Sequence, residues 1–403
     1  MGSRPLTVLC IASYEKGHEF LRECHRQGAR VFLLTSLSLR DTAEWPREIL
    51  EEIFYMPDRD KTWNRQDTIL AISHLARTRE IDRIIPLDDF DLEMAASIRE
   101  HLRIPGMGET TTRYFRDKLA MRLRAMESEL MVPDFVHLLN DARVQEFTSR
   151  VPPPWVLKPR LLAGAIGISK VHTVDELHHL DNELGDQRSF YLLERYVEGE
   201  VCHVDSIVIE GRVVFAIASR YGRPPMDVAQ GGGIFTSSLL DRDSDESKAL
   251  LEKNRRVLEG MGLLRGVSHT EFIQGQDGSL YFLETSARVG GAHIADLVET
   301  ATGINLWAEW AKIETASEDR SYTLPVPRDD YAGLLISLAK QENPDTAAYT
   351  DPEIVWRLEK SHHIGLIVRS PRVERVRELL TQYVERVQSD FYASAPPRQS
   401  PSD

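Results

Sequence analysis

Cysteine is scarce in this chain of 403 residues, with Cys10, Cys24 and Cys202 as its three examples. An odd number of cysteines without metal-ligand spacing is typical of a protein from a reducing compartment. We therefore predict a cytoplasmic protein whose cysteines are small residues of the core.

Long hydrophobic runs and an excess of positive charge are also missing. The apolar run at 8–12 is far too short for a membrane span or a signal peptide. Leu6 stands where a chain myristoylated at Gly2 would carry Ser or Thr, so membrane attachment is not expected. The chain has 49 Lys and Arg against 63 Asp and Glu, a net charge of −14. A basic surface for nucleic acid is therefore not expected either.

Two common nucleotide-binding fingerprints are absent. The segment after the first predicted strand is Ser13-Tyr14-Glu15-Lys16-Gly17, which lacks the G-x-G-x-x-G spacing of a dinucleotide site. The G-x-x-x-x-G-K-[ST] loop is not found anywhere in the chain. With 42% hydrophobic and 28% charged residues, the composition is ordinary for a globular enzyme of about two or three domains.

The first hundred residues show strand candidates that alternate with amphipathic helix candidates. We predict strands at 6–12, 30–35 and 83–86 and helices at 19–27, 68–79 and 90–102. Strands and helices that alternate at this spacing indicate an open parallel α/β sheet. The fold class is thus α/β for an N-terminal domain at 1–110.

The pattern changes in the middle of the chain. A predicted helix at 111–129 is followed by Pro152-Pro153-Pro154, through which a helix cannot continue. We then predict hairpin strands at 155–159, 168–172, 189–194, 201–210, 212–219, 268–273 and 279–285. These place a second domain at 111–320. A strand, loop, strand and helix at 321–391 form a C-terminal α+β cap, and the Ser- and Pro-rich tail at 392–403 is predicted to be disordered.

Two glutamates stand on one predicted hairpin. Asp277-Gly278 is a favoured type I′ turn pair, and a loop of these two residues pairs Gln276 with Ser279. Counting outward, Glu271 then lies opposite Glu284. Directly opposed side chains have Cβ atoms about 5 Å apart, and like charges there are destabilising, so one carboxylate is protonated or a cation lies between them. Magnesium with nucleotide phosphates suits such a pair. The alternative is a longer turn, which would place the glutamates on a solvent-exposed face of the hairpin.

A lysine and two glycines form a second candidate for phosphate binding. Lys158 stands in an otherwise apolar predicted strand, and Gly164 and Gly167 follow it. Glycines in a turn let backbone N–H groups approach an anion, and lysine supplies a point charge. A plain hairpin with an edge lysine is the alternative.

An arginine follows the second glutamate of the hairpin. Arg288 precedes Gly290-Gly291, and the fork of its guanidinium suits a carboxylate or a phosphoryl group. The alternative is a solvated loop. The glycine- and arginine-rich segment 219–233 is either a substrate-facing loop or a surface excursion.

Five segments, taken in order, resemble the ATP-grasp superfamily. They are Arg116-Asp117-Lys118, Val156-Leu157-Lys158-Pro159, Leu193-Glu194-Arg195-Tyr196-Val197, His269-Thr270-Glu271-Phe272 and Leu283-Glu284-Thr285-Ser286-Ala287-Arg288. The resemblance implies an ATP-grasp fold whose N-terminal α/β domain is the pre-ATP-grasp domain, with a lid at about 133–195. It further implies a carboxylate–amine ligase similar to biotin carboxylase and D-alanine–D-alanine ligase.

The resemblance implies a nucleotide-binding role for several residues. Lys118 and Lys158 would contact the ATP phosphates, and Gly164 and Gly167 would belong to the loop that covers them.

Three further residues match positions around the nucleoside. Glu194 and Val197 would hold adenine, the latter through its backbone, and His203 would lie near the nucleotide. Many members of the family carry a glutamate that binds ribose at the position that is Val201 in this chain. The chain departs from the family pattern there.

The remaining matches concern the metal and the reaction. Glu271 and Glu284 would bind Mg²⁺, with Mn²⁺ as a substitute, and Arg288 would stabilise the acyl phosphate. Many family members have an additional metal-binding Asn where this chain has Ser286. Whether one or two metal ions bind is therefore left open.

The resemblance implies a reaction between small molecules. A carboxylate would be activated by ATP and condensed with an amine, both amino-acid-like, to form an amide or peptide bond. Similar carboxylase-like enzymes suggest a homodimer. The alternatives are a small-molecule kinase or phosphotransferase on the same site, a nucleotide-binding regulatory module without turnover, and a nicotinamide oxidoreductase.

Overall fold

The computed structural model describes residues 4–316 and 321–394. These residues form four sheets. The strands are β1 (Thr7–Ala12), β2 (Arg30–Ser36), β3 (Glu52–Met56), β4 (Asp58–Arg59), β5 (Thr62–Trp63), β6 (Arg83–Pro86), β7 (Phe135–His137), β8 (Trp155–Pro159), β9 (Ser169–Val171), β10 (Tyr191–Arg195), β11 (Gly199–Ile209), β12 (Arg212–Tyr221), β13 (Phe235–Leu239), β14 (Arg265–Gly275), β15 (Leu280–Ser286), β16 (Tyr331–Leu338), β17 (Ile354–Arg357) and β18 (His363–Ser370).

Twelve α-helices lie in the same part of the chain. They are α1 (His18–Arg26), α2 (Arg65–Leu75), α3 (Leu92–Leu102), α4 (Glu109–Arg113), α5 (Lys118–Glu127), α6 (Asp141–Arg150), α7 (Val174–Leu184), α8 (Pro225–Gly231), α9 (Asp245–Met261), α10 (Ile294–Thr302), α11 (Leu306–Thr315) and α12 (Val373–Asp390). None of the described helices is long and apolar enough to cross a bilayer.

The N-terminal sheet has the order β3-β2-β1-β6, and all its neighbouring strands are parallel. The predicted open parallel sheet is thereby confirmed. Strand β1 is buried at every position, as expected where helices cover both faces of a parallel sheet. The loops after β1 and β6 leave the same edge of this sheet, because parallel strands end on one side.

The helix predicted at 111–129 is two helices in the structure. Helix α4 ends at Arg113, and α5 begins at Lys118. Asp117 caps α5, because its side chain accepts a hydrogen bond of 2.9 Å from the backbone N–H of Leu119. This cap fixes Lys118 at the start of a helix.

A four-stranded antiparallel sheet, which we call the lid sheet, has the order β7-β10-β8-β9. Its apolar face packs on its own small core around Trp155, which is fully buried and donates a hydrogen bond of 2.9 Å to the carbonyl of Val151. Strands β8 and β10 place Lys158 and Glu194 on neighbouring positions of this sheet.

The largest sheet has the order β15-β14-β11-β12-β13-β16-β18-β17, with every neighbouring pair antiparallel. The C-terminal strands therefore continue the sheet that carries the glutamate hairpin. Helix α12 approaches β16 so closely that a Cβ on Gly333 would lie 2.5 Å from Leu380 Cδ1.

The C-terminal tail lies largely outside the described residues. Of the segment 392–403 that we predicted to be disordered, Tyr392 forms a bridge with Ala339, and 395–403 is not described. The division of the chain into domains at 110 and 320 stays a prediction.

Candidate active site

A cavity of about 350 Å³ lies between the lid sheet and the large sheet, and we call it the lid cavity. Eight of the residues predicted from the sequence line it: Lys118, Lys158, Gly164, Glu194, Val197, Glu271, Glu284 and Arg288. Gly167 and His203 do not belong to its wall. The structure thus brings together side chains from α5, the lid sheet and the hairpin of β14 and β15.

The predicted opposition of Glu271 and Glu284 is observed, because the two residues are partners in the pairing of β14 with β15. The predicted turn is wrong. Gly275, not Gln276, pairs with Ser279, through a hydrogen bond of 2.9 Å from its N–H to the Ser279 carbonyl. The longer loop shifts the register by one residue, and a β-bulge between Glu271 and Phe272 shifts it back.

The bulge also shapes the wall of the lid cavity. Leu283 is the extra residue, because Phe282 pairs with Phe272 and Glu284 pairs with Glu271. Successive side chains of a regular strand point to opposite faces, yet Leu283 and Glu284 both line the cavity. An apolar side chain therefore lies directly beside a carboxylate.

Each glutamate of the pair keeps one carboxylate oxygen for a ligand. Glu271 Oε1 accepts a hydrogen bond of 2.8 Å from Tyr221, and Glu284 Oε2 lies 3.0 Å from Lys118 Nζ. The other oxygens, Glu271 Oε2 and Glu284 Oε1, have no hydrogen-bond donor among residues 4–316 and 321–394. Two carboxylates that face a cavity in this way are a donor set that suits Mg²⁺.

Lysines control the charge of Glu284. Burial alone raises the pKa of the Glu284 carboxyl, but Lys118 and Lys158 outweigh it and hold the pKa below its usual range. The carboxylate is therefore ionised and ready to bind a cation. Lys118 Nζ also donates a hydrogen bond of 2.7 Å to the carbonyl of Leu162, which ties the glycine loop to α5.

Glu194 is buried and ion-paired on both sides. Its Oε2 lies 2.6 Å from Lys158 Nζ, and its Oε1 lies 2.6 Å from Arg122 Nε. Burial raises the pKa of Glu194, but Arg122 and Lys158 more than reverse this effect. The carboxylate at the predicted adenine position is thus committed to two cations. Burial, opposed by Glu194, lowers the pKa of Lys158 to about 8.

Arg122 is a site residue that we did not predict. It is fully buried, and its Nη1 donates a hydrogen bond of 2.6 Å to the carbonyl of Leu283, the bulge residue. Arg122 follows Lys118 by four positions, which places both on one face of α5. This spacing was the signal that could have identified it.

Asp89 is a second residue that sequence reasoning missed. It lies in the loop after β6 and accepts hydrogen bonds from Arg288 Nε at 2.8 Å and Arg288 Nη2 at 2.6 Å. Ser286 donates to its other oxygen. Burial raises the pKa of Asp89, but Arg288 and Arg116 outweigh burial and lower it to about 2. The clue was the position of Asp88-Asp89 at the carboxyl edge of a parallel sheet.

A buried hydrogen-bond network lies behind Glu271. Asp205 joins two imidazoles, at 2.7 Å to His203 Nδ1 and 2.9 Å to His269 Nδ1. Burial lowers the pKa of His269, but Asp205 more than offsets it and raises the pKa to about 9. Of the three residues only His269 lines the cavity. The His203 ring instead lies against the Tyr221 ring at an angle of 31°, with ring centroids 4.6 Å apart, so it supports the wall rather than forming it.

The same three residues offer ligand atoms within 4.8 Å of one another, which is a spacing that a metal could use. The hydrogen bonds from both imidazoles to Asp205 occupy these atoms, however, and His203 Nε2 contacts Ser237 Oγ at 2.7 Å. We therefore assign the group to hydrogen bonding that fixes the wall beside Glu271.

Comparison with known proteins supports the fold. No protein-family model matches the chain. The L-arginine-specific L-amino acid ligase of Bacillus subtilis is 25% identical over 233 residues, which are 56% of this chain and 56% of that protein. The chain is therefore matched to little more than half the length of this relative.

Two solved structures resemble nearly the whole chain. The L-amino acid ligase from Bacillus licheniformis has a TM-score of 0.77 at 16% identity, covering 98% of this chain and 100% of that one. The biotin carboxylase domain of Hydrogenobacter thermophilus 2-oxoglutarate carboxylase, a dimer in complex with MgADP, has a TM-score of 0.69 at 16% identity, covering 98% and 91%. The chain has the ATP-grasp fold, and the resemblance predicted from its sequence is confirmed.

Proposed function

We propose that this protein is an Mg-ATP-dependent ligase that activates a carboxylate as an acyl phosphate and condenses it with an amine. The observation that carries the proposal is the opposed pair Glu271 and Glu284, which faces one cavity together with Lys118, Lys158 and Arg288. The named relatives and neighbours support the choice of amino-acid-like substrates, because two of them are L-amino acid ligases.

Glu271 and Glu284 would hold Mg²⁺, or Mn²⁺ in its place, through the carboxylate oxygens that accept no hydrogen bond from the described residues. The bound metal would shield the charge of the nucleotide phosphates. Lys118 and Lys158 add positive charge at the same wall, and Leu283 offers an apolar surface next to them. Both carboxylate oxygens of Glu194 are ion-paired, with Arg122 and Lys158. We therefore assign nucleobase hydrogen bonding to the backbone near Val197.

The reaction would take place in two transfers. The substrate carboxylate attacks the γ-phosphorus of ATP. The bond between this phosphorus and the oxygen that bridges it to the β-phosphate breaks, so that ADP leaves and an acyl phosphate forms. The amine then attacks the acyl carbon, loses a proton and expels inorganic phosphate, which leaves an amide. Arg288 lines the cavity, and its guanidinium would stabilise the negative charge that develops on the acyl oxygen.

Two segments over the cavity would exclude water from the acyl phosphate. Gln230, at the end of α8, donates a hydrogen bond of 2.7 Å to the carbonyl of Ile168, at the end of the glycine loop. Pro225 and Met226 of the same helix line the cavity. The segment 219–233 therefore faces the site, and we propose that it covers substrate together with the glycine loop.

The test is an ADP-release screen of carboxylic acids and amino acids in pairs, with mass spectrometry of the products. A ligase forms ADP, phosphate and an amide in equal amounts only when both partners are present. Hydroxylamine added with the carboxylate alone should trap the acyl phosphate as a hydroxamate. A stable phosphorylated product formed without an amine would indicate a kinase instead, and Mg-ATP binding without ADP formation from any pair would indicate a regulatory module.

A further inference from the structure

A second cavity, of about 620 Å³, lies where the N-terminal sheet meets the large sheet, and we call it the seam cavity. Its walls come from β6, α3, the loop at 105–108, the turn before β14, and α11. It shares no lining residue with the lid cavity. Much of its surface is apolar, and the apolar lining residues include Ile85, Leu92, Met107, Leu263 and Trp310.

Two buried charges of opposite sign line the seam cavity. Arg99 is 8% exposed and Glu314 is 7% exposed. In the described part of the chain, neither forms an ion pair. Arg99 donates only to main-chain carbonyls, to Ile84 through Nε at 2.8 Å and through Nη2, and to Met107 through Nη1 at 3.2 Å. Glu314 accepts a hydrogen bond of 3.2 Å from Trp310 Nε1.

This arrangement is unusual because buried charges in proteins are normally paired. Burial lowers the pKa of Arg99 to about 10, although the Glu314 carboxylate acts in the opposite direction. The two charges therefore interact electrostatically, although they form no ion pair in the described part of the chain. Of the five guanidinium N–H groups, two make no hydrogen bond to the described residues and are available to a ligand.

We propose that the seam cavity binds an apolar α-amino acid in its zwitterionic form. The guanidinium of Arg99 receives the α-carboxylate, Glu314 receives the α-ammonium, and the side chain packs against Met107, Leu263 and Trp310. A simple anion would leave Glu314 without a partner, and a simple cation would leave Arg99 without one. The cavity is also within the volume range of pockets that hold small molecules, about 300–1,000 Å³.

The position of the seam cavity connects it to the proposed ligase site. Ala287 lines the seam cavity, and its neighbour Arg288 lines the lid cavity. Pro86, three residues before Asp89, lines the seam cavity as well. An occupant thus touches both segments that carry the Arg288–Asp89 pair. A change in kcat on occupancy follows only if the proposed ligase function is correct, whereas the binding itself does not depend on it.

Trp310 gives a direct measurement of binding without nucleotide. Tryptophan fluorescence of the full chain is titrated with L-alanine, L-valine, L-leucine, L-methionine and L-phenylalanine in the absence of ATP. No tryptophan lines the lid cavity, so occupancy there gives no local signal. We expect a saturable change for at least one amino acid, and we expect the Trp310→Phe variant to lose it.

Matched ligands and variants then test the two charges. For L-leucine, the analogues are 4-methylpentanoate, which lacks the ammonium, and 3-methylbutylamine, which lacks the carboxylate. Both should bind at least 10-fold more weakly. Glu314→Gln should weaken L-leucine at least 10-fold and leave 4-methylpentanoate unchanged. The control is Glu309→Gln, on the same helix but outside the cavity, which should keep affinity within two-fold.

Several results would overturn the proposal. They are the absence of a saturable response to all five amino acids, equal affinity for L-leucine and 4-methylpentanoate, and equal effects of Glu314→Gln and Glu309→Gln. If Glu314→Gln does not fold, the analogue series on the unaltered protein decides. If the protein binds L-leucine in the seam cavity but forms no ADP in the substrate screen, the proposed binding site is supported and the proposed ligase function is contradicted.

Discussion

Arg288 and Asp89 are 199 positions apart in the chain, yet both hydrogen bonds from the Arg288 guanidinium to Asp89 end on the same carboxylate oxygen, at 2.8 and 2.6 Å. The N-terminal sheet thereby orients the arginine proposed to act on the acyl group. Ser286 donates to the second oxygen of Asp89. Its hydroxyl proton is therefore directed to Asp89.

We expect Asp89→Asn to lower kcat about 10- to 100-fold while KM for ATP changes by less than about three-fold. The amide keeps the shape of the side chain but removes the charge that holds Arg288. Steady-state ADP release measures both constants. Asp82→Asn is the control, because Asp82 precedes β6 and pairs with Arg4 at the far end of that strand. An equal loss of kcat in both variants would show that Asp89 acts only through stability.

We expect Glu284→Ala to reduce ADP formation more than 100-fold, because it removes one proposed metal ligand and the partner of Lys118. Calorimetric titration with Mg-ATP should show weakened binding that higher Mg²⁺ partly restores. The exposed Glu252→Ala, on α9, should behave as the unaltered protein. Full ADP formation by the Glu284 variant, or a loss that does not respond to Mg²⁺, would contradict the assignment of the metal ligands.

The pH dependence of ATP use should reflect Lys158. Its folded-state pKa is about 8, lowered from 10.5 by burial, so its positive charge is present below about pH 8 and is lost above it. We expect kcat/KM for ATP to fall as pH rises through about 8, because this ratio reports on groups of the free enzyme. Lys158→Arg, which stays charged throughout, should remove the inflection. A profile that is flat up to pH 9.5 in the unaltered protein would refute the role of Lys158.

Glu194 provides a test of structural against adenine-binding roles. We expect Glu194→Gln to lower the free energy of unfolding by about 3–5 kcal/mol, because Arg122 and Lys158 would remain as buried cations without a counter-charge. Chemical denaturation gives this value, and Glu198→Gln on the exposed neighbouring segment is the control. A stable Glu194 variant with a large increase in KM for ATP would favour the adenine role instead.

Local patterns were sufficient to predict three of the four strands of the N-terminal sheet and most of the strands that carry the site. The strands at 6–12, 30–35 and 83–86 are found within one residue of their predicted ends, because buried parallel strands form short, continuous apolar runs. Strand β3 was missed, although Ile53-Phe54-Tyr55-Met56 is an apolar run; in the structure four of its five residues are partly or fully exposed. Helix α9 was also missed, although Ser244 caps its start and Gly262 ends it.

Contacts between distant segments were not predictable in the same way. Asp89 and Arg288 meet only after the N-terminal sheet docks on the large sheet, and a single sequence contains no local signal for such docking. The glutamate pair shows a different limit. Its opposition was correct, but the predicted turn was not, and the bulge at Leu283 compensates for the longer loop. Arg122, which supports that bulge, could have been predicted, because it follows Lys118 by four positions on the same helix.

The pairing of β13 with β16 has a consequence for shortened forms of this protein. Strand β13 follows the segment that is proposed to cover the lid cavity, and β16 protects the outer edge of β13 through four residue pairs. A chain truncated before β16 would present that edge to solvent with unpaired N–H and C=O groups. Exposed edges of this kind recruit strands from other molecules. Removal of the C-terminal region should therefore produce aggregation rather than a smaller folded protein.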